Sequence, residues 1–354
     1  MKYNNKNYTS LWYKNGVVKI IDQTLLPENF KIIDLTTTDD IINAIKTMKV
    51  RGAPLIGVAG AFGVYFAFKE YNGEDDHQKL NNKIIELKNS RPTAVNLQFA
   101  VDLVYDHALN TNYENPEEDA LDKANELFDS EIKACKRIGE HGFKILNKLE
   151  VKEYINLLTH CNAGWLATVD YGTASSPVFE AAYRGLDIHV WVDETRPRNQ
   201  GGKLTAWEYF HEDIPHTIIT DNAGGHLMRN GEVDIVITGA DRIALNGDTA
   251  NKIGTYLKAL AAYDNKIPFY IAAPISTIDF NMKSGKDIPI EIRSENEIKF
   301  SGNTPLNHTL SPALNHGFDV TPARLITGFI TEKGIFTPEQ LKELKNGKKQ
   351  TSIT

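Results

Sequence analysis

Near the start of the chain, apolar and polar residues alternate over three short stretches: Ser10–Tyr13, Val17–Ile21 and Lys31–Asp34. Asn15-Gly16 and Pro27-Glu28-Asn29 separate them, which predicts a small β-element joined by tight turns. From Thr38 the period changes to that of a helix. Asp39 and Asp40 suit a helix start, and Ile41, Ile42, Ala44, Ile45 and Met48 follow at helical spacing. The longest apolar run, Leu55–Phe68, is too short to cross a bilayer and predicts a buried helix, with Pro54 acceptable in its first turn. Charged helices are predicted over Asp75–Lys88, Ala94–Leu109 and Pro116–Leu149.

Beyond Lys152 the texture becomes strands alternating with helical segments. The predicted strands are Tyr154–Thr159, Ile188–Val192, Thr217–Thr220, Ile235–Thr238, Pro268–Ala272 and Leu325–Thr327. Helices between them imply βαβ units around a parallel sheet. The chain is therefore expected to be an α/β protein, with a mainly helical domain over 1–150 that carries the small β-element and a parallel-sheet domain over 151–354. The poorly periodic stretch Asp279–Pro312 reads as a functional loop or an oligomer contact, and the Lys-rich tail after Thr337 as a short helix with a frayed end.

Composition narrows the class. The 354 residues are 41% hydrophobic and 24% charged, ordinary for a soluble globular protein with a sizeable core. A net charge of −7 argues against a general nucleic-acid or anionic-membrane binder. The polar stretch Met1–Thr9 lacks the apolar core of a signal peptide, so a cytoplasmic location is expected. Cys135 and Cys161 have no metal-ligand spacing, and no dinucleotide fingerprint, phosphate-loop motif or HExxH sequence is present, so neither metal nor cofactor is expected.

Candidate chemistry gathers where predicted strands end, the usual place for sites in open α/β sheets. Val236–Thr238 runs into Gly239-Ala240-Asp241, whose glycine lets backbone approach a ligand closely; Asp241 reads equally as an acid/base group or a turn residue. Asp248 is expected to cap a helix over Thr249–Tyr256, which places Asn251 and Lys252 in its first turn, as phosphate ligands or as a solvated face. The strand before it ends in Thr159-His160-Cys161-Asn162. Cys161 reads as a catalytic residue or as a small buried hydrophobe. Its neighbour His160 points to the other face of an extended strand, which weighs against a Cys–His dyad. Arg51-Gly52-Ala53 offers a guanidinium and helix-start amides to an anion, or is an ordinary turn. Arg91-Pro92-Thr93 has similar status. In Glu194–Gly202, Arg196 and Arg198 bind anions or pair with Glu194.

At Arg51–Gly57, Arg91–Leu97, Thr159–Thr168, Glu194–Glu208, Gly239–Tyr256, Ala273–Asp279 and Phe318–Pro322 the chain resembles the methylthioribose-1-phosphate isomerases, in the family that also holds the translation-initiation-factor 2B regulatory subunits. The resemblance runs in order through most of the chain, and the Cys161 and Asp241 loops are its enzyme-specific part. It implies a Rossmann-like C-terminal domain, a homodimer, and an aldose-ketose isomerase that needs no cofactor and acts in methionine salvage or 5-deoxyribose disposal. It implies that Asp241 is the general acid/base and Cys161 its proton-handling partner, with Arg51, Gly52, Ala53, Arg91, Gln200, Asn251 and Lys252 holding a phosphorylated pentose.

Such a substrate carries phosphate on its anomeric oxygen, so it has no free aldehyde. Ring opening then requires a proton relay at the C2 hydroxyl and the ring oxygen. Either hydride migrates from C2 to C1, or Cys161 removes the C2 proton. Trp165, Asn199, Gly202 and the stretch Asp221–Met228 depart from the commonest isomerase pattern and resemble a variant group linked to 5-deoxyribose 1-phosphate as well as methylthioribose 1-phosphate. The rival expectations are a ribose-1,5-bisphosphate isomerase, which needs a second cationic site, and a non-enzymatic factor-2B-like interaction protein, which has no need of Cys161 or Asp241.

Overall fold

The computed structural model describes residues 1–71, 77–91, 95–111, 115–150 and 153–344. The expected helix starts at Asp75 and Ala94, the Pro92-Thr93 part of the arginine loop and the end of the Lys-rich tail lie outside them. Two compact units are present: Met1–Lys136 with Gly164–Gly172, and Arg137–Ala163 with Thr173–Thr354. The chain thus leaves the second unit once, between Ala163 and Thr173, where the expected division at 150/151 is contiguous.

In the first unit, β1 (Leu11–Lys14), β2 (Val17–Ile21) and β3 (Ile32–Leu35) form the expected antiparallel element. Helix α1 (Thr38–Lys46) starts with a capping box, in which the Thr37 side chain accepts from the Asp40 amide and the Asp40 carboxylate accepts from the Thr37 amide. Helix α2 (Ala53–Glu70) is buried around its whole circumference from Ala53 to Phe68, as a helix without a polar face must be. It packs against α1, α3 (His77–Lys88) and α4 (Val95–Asn110). Gly52 precedes it at φ +92°, where a Cβ would stand 2.3 Å from the Ala167 carbonyl oxygen, so only glycine fits. Helix α5 (Pro116–Leu146) runs through Lys136, where the chain passes to the second unit.

The second unit is built on a seven-stranded sheet. Its strands are β4 (Ile155–Thr159), β5 (Ile188–Asp193), β6 (His216–Ile219), β7 (Ile235–Thr238), β10 (Phe269–Ala272), β13 (Gly328–Thr331) and β14 (Gly334–Phe336). Their spatial order is β14-β13-β10-β7-β4-β5-β6, parallel throughout except for β14. Helices α6 (Ser176–Tyr183), α7 (Ala206–His211), α8 (Ala223–Arg229) and α9 (Thr255–Asp264) lie between strands in sequence. The chain builds outward from β4 through β5 to β6, then returns to lay β7 on the other side of β4. The gap between β4 and β7 is therefore the switch point, where open α/β sheets bind ligands.

Two expectations are corrected. The strand predicted at Leu325–Thr327 is β13, three residues later; Ala323–Leu325 is a turn of 3₁₀ helix, and Gly328 takes the register opposite Tyr270. The helix predicted over Thr249–Tyr256 is for the most part the strand β9 (Thr249–Lys252), which pairs antiparallel with β8 (Arg242–Ala244) and β12 (Phe318–Thr321) in a second sheet completed by β11 (Ile278–Asp279). Only from Thr255 does the chain become helical.

Candidate active site

Cys161 lies two residues beyond β4, and Asp241 three residues beyond β7. Since β4 and β7 are adjacent and parallel, both loops leave the same edge of the sheet at the switch point. They also touch: a Cβ on Gly239 would stand 2.6 Å from the Cβ of Ala163, so the loops reach this separation only because residue 239 has no side chain. The Asp241 amide donates to the Ala250 carbonyl at 2.9 Å, which fastens the loop to β9. Asp241 itself is partly exposed, whereas Cys161 is buried.

Cys161 is held by a polar shell. Its φ is +67°, a left-handed conformation that a non-glycine residue keeps only when its surroundings enforce it. Its thiol donates to Oε1 of buried Gln200 at 3.5 Å, which brings positions 161 and 200 together. Asn162 donates from Nδ2 to Glu208 Oε1 at 2.9 Å and to Thr205 Oγ1 at 3.1 Å. His160 is engaged elsewhere: Nδ1 is 2.7 Å from Asp193 Oδ2, and Nε2 is 2.9 Å from the Ile253 carbonyl. With both ring nitrogens engaged, His160 has no nitrogen with which to serve Cys161 as a base. Asp193 also receives Lys258 Nζ at 3.1 Å, and these three side chains are fully or almost fully buried.

Asn251 and Lys252 are on β9, not at a helix start. Asn251 is buried, with Nδ2 donating to Thr255 Oγ1 at 3.0 Å. Lys252 Nζ donates to the Gly317 carbonyl at 3.1 Å and lies 4.5 Å over the Phe318 ring. The helix start expected at Asn251-Lys252 does not form there, and two amides at the actual start of α9 are engaged within the protein. The Gly254 and Tyr256 amides donate to the two carboxylate oxygens of Asp319, at 2.7 and 3.1 Å. Burial pushes the Asp319 carboxyl above its usual range, against these two amides and the charges of His160 and Lys258. Asp248 is structural, as expected, but not as a helix cap. It accepts from the Asn246 side chain at 2.8 Å, the Gly285 amide at 3.0 Å and the Ala323 amide at 3.0 Å, joining three segments. Although burial acts to raise it, these bonds hold its carboxyl below the usual range.

The arginines of the loop after β5 do not pair with Glu194. Arg196 donates to the Pro197 and Ile298 carbonyls at 2.6 and 3.0 Å, and Arg198 donates to Glu297 at 2.8 Å. The stretch Asp279–Pro312 is thereby braced against the loop that carries Gln200. In the first unit, Arg51 is buried, Gly52 and Ala53 open α2, and Arg91 donates to the Met48 sulfur at 2.7 Å. Trp165 is fully buried there, and its carbonyl accepts from Ser10 Oγ at 2.6 Å. No helix among the described residues is long and apolar enough to cross a membrane.

Comparison with known proteins bears on both units. The profile of the initiation factor 2 subunit family matches residues 49–338. A methylthioribose-1-phosphate isomerase of Desulfatibacillum aliphaticivorans is 50% identical, over 95% of this chain and 95% of its own. The crystal structure of 5-methylthioribose 1-phosphate isomerase from Pyrococcus horikoshii OT3 superposes with a TM-score of 0.87 at 39% identity, covering 97% of each chain. The crystal structure of a translation initiation factor eIF-2B, subunit delta, from A. fulgidus superposes with a TM-score of 0.81 at 37% identity, covering 96% of this chain and 99% of that one.

Proposed function

The chain belongs to the initiation factor 2 subunit family, and from that premise we propose that it is an isomerase converting 5-methylthioribose 1-phosphate to the corresponding ribulose 1-phosphate. The observation that carries this reading is the meeting of the Cys161 and Asp241 loops at the sheet's switch point, with Cys161 strained and its thiol on Gln200. A partly exposed carboxylate suits the proton relay that opening an anomerically phosphorylated furanose requires, and a buried thiol on the touching loop suits a partner at C2. Asp241 serves the C2 hydroxyl and, by protonating it, the departing ring oxygen, while Cys161 either takes the C2 proton, a proton then returning to C1, or lines the path along which hydride passes from C2 to C1. Gln200, Asn251 and Lys252 are assigned to the substrate; Arg51, Gly52, Ala53 and Arg91 carry the same assignment from the resemblance alone. For Asn251 and Lys252 that role is now played from a strand.

The reading extends to 5-deoxyribose 1-phosphate as a second substrate, to a cytoplasmic homodimer, and to methionine salvage or 5-deoxyribose disposal as its setting. The solved initiation-factor relative favours a non-enzymatic second reading. An interaction protein, however, has no use for a strained cysteine with its thiol bonded to a buried glutamine. Turnover of methylthioribose 1-phosphate, 5-deoxyribose 1-phosphate and ribose 1,5-bisphosphate by the purified protein decides among these. Asp241→Asn is expected to lower kcat by about 10²- to 10⁴-fold with the fold intact, the range of a lost general acid/base. Near-parental turnover by that variant would return Asp241 to a structural role, and absence of turnover on any sugar 1-phosphate by the parent protein would favour the non-enzymatic reading.

A further inference from the structure

The backbone at Cys161 is gripped from both sides by hydroxyl groups. Its amide N–H donates to Thr195 Oγ1 at 2.8 Å, and its carbonyl accepts from Thr205 Oγ1 at 2.8 Å. Neither hydroxyl is free to turn away. Thr195 Oγ1 also donates to the Asp193 carbonyl at 2.9 Å, so its donor and one acceptor position are both used. Thr205 Oγ1 also accepts from Asn162 Nδ2, whose amide group is anchored on buried Glu208. Thr195 is itself left-handed, at φ +64°, and is fixed from outside: the Asp221 carboxylate accepts from the Thr195 amide at 2.8 Å and from the Arg196 amide at 2.7 Å. Thr195 and Thr205 are both 1% exposed, too buried for water to replace either hydroxyl.

We propose that Thr195 and Thr205 are positioning residues that clamp Cys161 in its left-handed conformation and so aim the thiol at Gln200 and the substrate. The inference rests on the reading of Cys161 as catalytic. Released from the clamp, residue 161 relaxes to an extended or right-handed backbone, the ordinary preference of a side chain with a Cβ. That rotation swings Sγ away from Gln200, while the groups that bind the sugar phosphate stay in place. The clamp therefore governs the chemical step and leaves binding alone.

The test compares Thr195→Val and Thr205→Val, which keep the shape and remove the oxygen, with Thr195→Ser and Thr205→Ser, which keep the oxygen. Each is assayed for kcat and KM on methylthioribose 1-phosphate and for thermal stability, beside Cys161→Ala. The valine variants are expected to lose about a hundredfold in kcat, the scale of a misplaced reacting group, with KM little changed. The serine variants are expected to recover most of it. Parental kcat in a folded valine variant, or serine variants as slow as the valine ones, would overturn the clamp. If the valine variants do not fold, amide exchange in the unmutated protein decides: slow exchange at Cys161 N–H is expected, and fast exchange counts against the proposal. Cys161→Ala separates the two levels. If it is fully active, the catalytic reading of Cys161 fails; if it is inactive while the valine variants are normal, only the clamp fails. Should the unmutated protein turn over no sugar phosphate, the functional reading falls and amide exchange still judges the clamp.

Discussion

Two stretches of this protein are equally buried and otherwise opposite. Helix α2 is sealed in the first unit by apolar side chains, from Leu55 through Phe62 to Phe68. The shell under the Cys161 loop in the second unit is as dry but made of His160, Asn162, Asp193, Thr195, Thr205, Glu208 and Lys258. The apolar segment gains stability from every contact and tolerates exchange of one hydrophobic shape for another. The polar shell loses hydration at each residue, recovers it only through particular bonds, and thereby fixes a single geometry. Chemistry that depends on a strained cysteine belongs in the second kind of core.

The largest effect is expected where the polar shell loses its hub. Asp193→Ala leaves His160 Nδ1 and Lys258 Nζ buried without their carboxylate, and removing one partner of a buried ionic group costs about 3–5 kcal/mol. Denaturant unfolding measures the loss, and activity is expected to fall in the fraction that remains folded. A loss under about 1 kcal/mol, the scale of an exposed pair, would show that water reaches the shell and would end the contrast with α2. Next comes Gly52→Ala. A methyl group at φ +92°, 2.3 Å from the Ala167 carbonyl oxygen, combines backbone strain with overpacking, together about 2–4 kcal/mol. A smaller cost is expected inside α2, where Phe62→Leu should cost about 1.5 kcal/mol and leave kcat per folded molecule unchanged. A fall in kcat for that variant, with stability little altered, would mean that the apolar core also tunes the site.

What could be read from the residues follows the same division. Helix α2 was legible because its signal is local: a continuous apolar run with glycine and proline at its start. Strands β4, β5, β7 and β10 were legible for the same reason, within a residue at either end. Strand β9 was not. Thr249-Ala250-Asn251-Lys252 has no strong period, and it becomes a strand through pairing in which Asn251 stands opposite Asp319 and Lys252 opposite Phe318. Asp319, 65 residues beyond Gly254, also takes the Gly254 and Tyr256 amides where α9 begins. At the site, the residue types and their strand-end context pointed to Cys161 and Asp241. The threonines that grip Cys161 lie 34 and 44 residues away, in a stretch whose arginines, not its threonines, draw attention in the sequence. Local patterns reveal elements and exposed chemistry, whereas a polar shell assembled across strand ends exists only once the sheet has formed.

The smallest effect sharpens the contrast from the outside, where an ionic group sits at the rim of the site instead of beneath it. Burial acts to raise the Glu297 carboxyl, but hydrogen bonds from Arg293 and the charges of Arg198 and Arg293 outweigh it and hold the group down to about 2. A carboxylate depressed in the folded state contributes its stability in full above its unfolded value of 4.5 and loses it as pH falls toward about 2. Arg198 is 39% exposed, so solvent screens part of the interaction, and about 1 kcal/mol is expected. Glu297→Gln should therefore lower stability at neutral pH by about that amount, and the difference from the parent protein should shrink between pH 4.5 and 2. High salt should shrink it as well, whereas the loss in Asp193→Ala should resist salt because its partners are buried. Because Arg198 ties this glutamate to the loop that carries Gln200, kcat is expected to fall modestly in Glu297→Gln, far less than in the Thr195→Val variant. Equal losses in the two variants would place the control of Cys161 at the rim and deny the buried shell its special part.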